Sequence, residues 1–215
     1  MSQFLIFTDI DVPKRQTTYN ELNKNANQLA NAILAKVKTF PCRANQDKDW
    51  IIAVCMKPSD HLITTLLGIW KTGCAYLPLD VDYHETRIEH ILREAKPILV
   101  IYDDDYPHAN LFGMVKSWKF SDLMKKSDGV ETENIPDELT LTKGDPSAKV
   151  IVLYTSGSTG LPKGVRIRHH TFIHRIMWQL RTYPYRESEK FCVFKTALTF
   201  LEHMGEVWCP LFVGK

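Results

Sequence analysis

The chain has 215 residues, room for one large domain or two small ones at roughly 100–200 residues per domain, and enough to bury a core. Its 44% hydrophobic and 24% charged residues, with 10 glycines and 11 prolines, exclude a disordered, collagenous or low-complexity chain. Lys and Arg number 27 against 25 Asp and Glu, and a net charge of +2 builds no field that points to nucleic acid or a membrane surface. In chain order, Thr18 and Glu21 have the spacing of a capping box, and Leu22, Ala26, Leu29, Ile33 and Val37 keep helical periodicity. An amphipathic helix is predicted over 19–38. After a polar loop from Pro41 to Asp49, the continuous apolar run Trp50–Met56 reads as a strand covered on both faces and ended by Pro58. Ser59 is placed to cap a second helix that runs through Trp70, Gly73 terminates it, and Ala75–Asp80 is extended. A third helix is predicted over Thr86–Ala95, with Ile88, Ile91 and Leu92 on one face and Pro97 breaking it before the strand Ile98–Tyr102. Residues 103–147 read as a long polar connection with one short strand near Val115–Phe120, and Lys149–Tyr154 is the next buried strand. This strand-helix-strand alternation predicts an α/β fold with a parallel or mixed sheet and flanking helices.

Apolar runs such as Ile51–Met56 stop far short of the ~18 residues of a membrane span. The first residues show neither a basic leader nor a small-residue cleavage site. The cysteines (Cys42, Cys55, Cys74, Cys192, Cys209) are odd in number, scattered and mostly flanked by apolar residues, which fits reduced thiols in a core. A cytoplasmic protein with no membrane or nucleic-acid partner is expected.

The segment Tyr154–Gly164 concentrates three glycines, four hydroxyl residues and one lysine directly after a predicted strand. Glycines let backbone N–H groups approach an anion, hydroxyls donate to phosphate oxygens and an ammonium neutralises them, so the composition suits polyphosphate. The order matches neither a Walker A loop, since Lys163 lies between Pro162 and Gly164, nor the G-x-G-x-x-G dinucleotide fingerprint. A flexible Gly/Ser loop without a ligand is the alternative.

The ten residues TSGSTGLPKG at 155–164 resemble the signature of adenylate-forming enzymes, the superfamily of acyl-CoA synthetases, luciferases and nonribosomal peptide synthetase adenylation domains. Thr18–Leu22, Leu67–Asp80, Tyr83, Arg87 and Ile88 are similar in order and spacing to the peptide synthetase branch, with His84 standing where that branch has proline. The resemblance implies activation of a carboxylate with ATP and Mg2+ to an acyl-adenylate and pyrophosphate, then transfer to phosphopantetheine on a carrier domain in cis. It places Thr155, Ser156, Ser158, Thr159 and Lys163 on the β- and γ-phosphates, with Gly157 and Gly160 permitting the approach. No metal ligand is expected within this chain.

Lys195–Trp208 resembles the family's F-D-x-S-x-x-E stretch, aligned by Phe200 and Glu206. The aspartate that in this family pairs with the ammonium of an α-amino acid is Leu201 here, and a carboxylate appears one residue later, at Glu202. A one-residue shift on a helix turns a side chain by about 100°, which suits an amine set at a different distance from its carboxylate. The arrangement looks most like the insect β-alanyl-amine synthetases, which implies β-alanine as the small-molecule substrate, Glu202 as partner of its ammonium, and later condensation with an amine. Thr199 and Glu202 also have the spacing of a capping box, so Glu202 is equally readable as a helix cap.

Other clusters carry blander expectations. His169, His170 and His174 lack a third zinc ligand of suitable spacing, and the resemblance gives His169 a hydrogen-bonding role after the loop. The cations at 163, 166, 168, 175 and 181 are expected on a solvated helix face, Trp178, Trp208 and the phenylalanines of 191–200 in the core, and Asp103–Asp105 in a solvated loop. In the family, residues 1–215 correspond to the N-terminal portion of the large domain. The fragment by itself is therefore expected to be inactive. The alternatives are an acyl- or aryl-CoA ligase and a non-catalytic ATP-binding derivative.

Overall fold

The computed structural model describes residues 4–7, 15–39, 45, 47–126, 132–156, 161–189 and 191–215. β1 (Phe4–Phe7) and β2 (Arg15–Thr18) form an antiparallel ribbon with Phe4 opposite Thr18, an element the sequence patterns do not announce. α1 (Tyr19–Val37) starts where the capping box predicts. Glu21 N–H donates to Thr18 Oγ1 at 3.1 Å and Thr18 N–H donates to Glu21 Oε2 at 2.7 Å. The Thr18 backbone and side-chain donors hold the Glu21 carboxyl below its usual range.

The central strands follow the predicted alternation: β3 (Ile51–Cys55), α2 (Asp60–Lys71), β4 (Ala75–Pro78), α3 (Glu85–Ala95) and β5 (Leu99–Tyr102). β6 (Ser117–Lys119), α4 (Phe120–Lys126), β7 (Lys149–Thr155), β8 (Lys163–Arg168), α5 (His169–Thr182) and α6 (Cys209–Val213) complete the chain. Six strands form one sheet in the order β6-β5-β3-β4-β7-β8, parallel except for β8. The α/β architecture is the expected one.

Period-two alternation sorts the continuous apolar strands onto two cores. Ile52, Val54, Tyr76, Leu99, Ile101, Ile151 and Leu153 bury one face against α1, α2, α5 and the 204–209 segment. Ile51, Ala53, Cys55, Leu77, Val100, Tyr102 and Val152 bury the other against α3 and the turn at 109–112. Register locks the sheet, with Ile52 beside both Tyr76 and Leu99, and Tyr76 beside Ile151. His84, at the family's proline position, is the N-cap of α3, its Nδ1 accepting from Thr86 N–H at 3.4 Å.

Several expectations are corrected. The 103–147 connection is more regular than predicted: besides β6 it forms α4, whose Leu123 joins the core over α1. Asp103 does not sit in a merely solvated loop. Its Oδ2 accepts Lys57 N–H at 2.7 Å, tying the ends of β3 and β5, and burial pushes its carboxyl upward. Gly73 has φ +82°, and a Cβ there would lie 2.4 Å from Thr142 Oγ1, so both backbone and packing require glycine. Of the thiols, Cys55, Cys74 and Cys209 are buried, Cys192 is exposed, and Cys42 lies outside the described residues.

Candidate active site

The glycine-rich segment joins β7 to the antiparallel β8, with Thr155 opposite Lys163 and Tyr154 opposite Gly164. The hairpin therefore brings Thr155 and Lys163 side by side at the base of the loop, both exposed. Ser156 follows Thr155 and is exposed, whereas Gly157, Ser158, Thr159 and Gly160 lie outside the described residues. Strand geometry explains why the order departs from Walker A: the chain returns along a strand, not into a helix N-terminus, so anion binding would use loop N–H groups, hydroxyls and Lys163. Gly164 lies close under the Tyr154 ring, where an added Cβ would make a tight contact at 3.1 Å. Burial raises the Tyr154 phenol to about 12. His90 Nε2 lies 3.4 Å from Pro162 O, which ties the end of the loop to α3.

The expected helical stripe of cations divides. Arg175 and Arg181 lie on α5, but Lys163, Arg166 and Arg168 lie on the edge strand β8. Arg166 pairs with Asp47 and, through Nε at 2.9 Å, with the buried Asp49, whose other oxygen meets Lys149 Nζ at 3.6 Å. Charge on an edge strand discourages further strand pairing.

A cavity of 260 Å³ opens beside α5 and the turn that follows Phe200. Gln179, Glu202, Gly205 and Glu206 line it with Tyr185 and Glu189, and no Lys, Arg or His among the described residues does. Three carboxylates therefore face one space, and two are already engaged. Glu206 accepts from Lys195 N–H at 3.0 Å, Thr196 N–H at 2.8 Å and Thr196 Oγ1 at 2.7 Å. Burial works to raise the Glu206 carboxyl, but the Thr196 and Lys195 donors outweigh it and hold the group below its usual range. Glu189 Oε2 accepts from Arg186 N–H at 2.5 Å. The Glu202 side chain is exposed and has no hydrogen-bond partner among the described residues. The capping-box reading of Glu202 is not realised, since Thr199 Oγ1 is buried without a partner where the box would have it accept from Glu202 N–H.

A residue that sequence reasoning missed underpins this turn. His203 is fully buried; its Nδ1 lies 2.5 Å from Phe200 O and its Nε2 2.7 Å from Tyr76 Oη. The carbonyl can only accept, so Nδ1 carries the proton and Tyr76 donates to Nε2. Trp208 Nε1 donates to Tyr76 Oη at 3.4 Å, and the Trp208 ring stacks on Trp70 at 4.0 Å. Burial lowers the His203 pKa to about 4, with the Phe200 carbonyl opposing the shift. The available signal is positional: His203 stands where the F-D-x-S pattern has serine, and a buried residue next to Glu202 bears on how that carboxylate is held.

Trp208 is core as expected. Trp178, Phe191 and Phe200 are not, being 46%, 78% and 63% exposed, the last two near the cavity mouth or on its turn. A larger cavity of 360 Å³ lies between Leu22, Leu67, Trp70, Phe172 and Trp208, and His169 faces it; among the described residues no carboxylate lines it. The His169 backbone N–H donates to Ala148 O at 3.0 Å, while its imidazole makes no hydrogen bond among the described residues. Among the described residues no three His, Cys, Asp or Glu side chains converge to hold a metal ion.

Residues 3–215 match the AMP-binding family, described as AMP-binding enzyme. The chain belongs to this family. Among curated relatives of this AMP-binding chain, beta-alanyl-bioamine nonribosomal peptide synthetase ebony of Drosophila melanogaster is 46% identical over 199 residues, 93% of this chain and 22% of that protein. Bacitracin synthase 3 of Bacillus licheniformis is 30% identical over 198 residues, 92% of this chain and 3% of that protein. The chain thus spans less than a quarter of the length of either relative. Among solved structures, O-succinylbenzoate Coenzyme A Synthetase (MenE) of Bacillus subtilis in complex with AMP superposes with a TM-score of 0.76 at 16% identity, covering 99% of this chain and 51% of that one. The N-terminal subdomain of Klebsiella oxytoca NpsA, in complex with 3-hydroxybenzoyl-AMSN, gives 0.72 at 24% identity over 93% of this chain and 46% of that one. These two share the fold. The AMP-binding family is the adenylate-forming one that TSGSTGLPKG resembles, and the relatives include the peptide synthetase branch.

Proposed function

We propose that the protein containing this chain activates the carboxylate of β-alanine with ATP, releasing pyrophosphate and forming a β-alanyl-adenylate for thioester loading onto a phosphopantetheine carrier in cis. The observation that carries the substrate reading is Glu202: a carboxylate with no hydrogen-bond partner among the described residues, facing a cavity that they line with three carboxylates and no cation. Such a wall favours an ammonium, because an unpaired carboxylate gains most from an opposite charge close by. The name of the ebony relative, a β-alanyl-bioamine synthetase, supports β-alanine over an α-amino acid, as does Leu201 at the position of the family's aspartate.

In this reading the substrate carboxylate attacks the α-phosphorus of ATP, the α–β phosphoanhydride bond breaks and pyrophosphate leaves. Thr155, Ser156, Ser158, Thr159 and Lys163 hold the β- and γ-phosphates where negative charge builds, and Gly157 and Gly160 let the backbone approach. The hairpin register supports a shared role for Thr155 and Lys163, since it sets them side by side. Magnesium bound with ATP would supply further screening of that charge. No helix among the described residues is long and apolar enough to cross a membrane.

Pyrophosphate exchange in the full-length protein tests the reading. β-Alanine should drive exchange, and Glu202→Gln should cut β-alanine-dependent exchange about tenfold or more, by removing a charge-assisted contact worth roughly 1.5–3 kcal/mol. Unchanged exchange in the variant removes Glu202 from the amine site.

A further inference from the structure

We infer that Gln179, seated on Gly205, determines specificity in the cavity that holds Glu202: its carboxamide closes the cavity against longer amino acids and accepts a hydrogen bond from the substrate ammonium. This inference rests on the proposed function and names a residue that neither the glycine-rich signature nor the F-D-x-S stretch contains.

The geometry is specific. Gln179 lies on α5 and Gly205 on the π-helical turn Met204–Trp208, and both line the same cavity as Glu202. A Cβ built on Gly205 would lie 2.4 Å from Gln179 Nε2, 2.6 Å from Oε1 and 2.9 Å from Cδ. The carboxamide therefore occupies the volume that any side chain at 205 would need. A side chain at 205 would have to displace the Gln179 amide; backbone strain plays no part, because Gly205 is not among the glycines with positive φ.

The Gln179 side chain makes no hydrogen bond among the described residues, while its backbone carbonyl accepts from Tyr183 N–H at 2.8 Å. A half-buried amide left without partners in a cavity is an available donor and acceptor, and its oxygen is the complement of an ammonium. Glu202 and Gln179 reach the cavity from different elements, so together they can grip an ammonium from two directions, one by charge and one by a neutral acceptor. The seat on Gly205 also keeps the amide in the lining of the 260 Å³ cavity. A short ω-amino acid fits the space that remains, and each added methylene meets the amide.

The test compares pyrophosphate exchange by the full-length protein with glycine, β-alanine, γ-aminobutyrate and 5-aminovalerate. In the wild type β-alanine should lead. Gln179→Ala removes the amide from the lining and should raise the kcat/KM ratio of γ-aminobutyrate to β-alanine about tenfold or more, the lower end of what one methylene is worth in a binding pocket. Gln179→Met keeps the length but loses the acceptor, and should raise the KM for β-alanine about tenfold while leaving the KM for ATP unchanged. If Gln179→Ala fails to fold, Gly205→Ala displaces the amide instead and should shift the ranking in the same panel. A substrate ranking and β-alanine KM within twofold of wild type in every folded variant would overturn the inference while leaving the proposed function standing. A wild type that exchanges with none of the four amino acids overturns the proposed function and this inference with it.

Discussion

The glycine-rich hairpin and the carboxylate-lined cavity are built on opposite plans. In the hairpin, Thr155–Lys163 is one stretch of chain closed by the strands on either side, Thr155 meeting Lys163 in register. The cavity takes Gln179 from α5 and Glu202, Gly205 and Glu206 from the turn after Phe200, and that turn is pinned by His203 to Tyr76, 127 residues earlier on β4. A local loop keeps its chemistry whatever packs around it, provided its two strands pair. A cavity assembled from distant elements depends on buried contacts outside its lining, and its shape can change there without disturbing the hairpin.

Separating the two regions experimentally should give effects of decreasing size. Lys163→Ala in the full-length protein should lower ATP-dependent pyrophosphate exchange about 100- to 1000-fold, the usual loss for a donor that meets transition-state charge. The KM for the amino acid should hold. A loss expressed in that KM instead would merge the two regions.

The His203 anchor gives a pH signature. Its pKa in the fold is about 4 against an ordinary 6.5, because burial penalises the imidazolium. Between those values the unfolded chain binds the proton that the folded one excludes. Stability is therefore complete above about pH 6.5 and falls as pH drops toward 4, by about 3 kcal/mol from this one group. Urea midpoints of the full-length protein measured across that window should fall less steeply in His203→Gln, and parallel slopes would show that the imidazole is not the linked group. Smallest of the set, Thr18→Ala removes the cap of α1 and should cost about 1 kcal/mol in urea unfolding with exchange kinetics unmoved.

Legibility follows the same division. The central strands and α1 to α3 are readable because each is specified by its own residues: continuous apolar runs for strands buried on both faces, and Thr18 with Glu21, Ser59 and Gly73 as boundaries. The β1–β2 ribbon and α4 escape such reading, since short elements carry too few positions for a period to emerge. The cation row does not form one helix face because Lys163, Arg166 and Arg168 belong to a strand that only hairpin pairing with β7 reveals. Glu202 is readable as a candidate but not as a choice. Whether it caps or faces a cavity depends on Thr199, whose hydroxyl is buried without a partner.

By itself the order of residues determined the α/β grammar, the family and the glycine-rich signature, because periodicity, caps and a contiguous motif are local properties that need no knowledge of neighbours. Only the tertiary structure decided that Gln179 rests on Gly205, that His203 is locked to Tyr76, and that Glu202 is the carboxylate left unengaged among those facing the cavity. Those facts are relations between segments brought together by packing of α5 and the 200–208 turn over the sheet. Burial and close approach exist only once the chain has closed on itself.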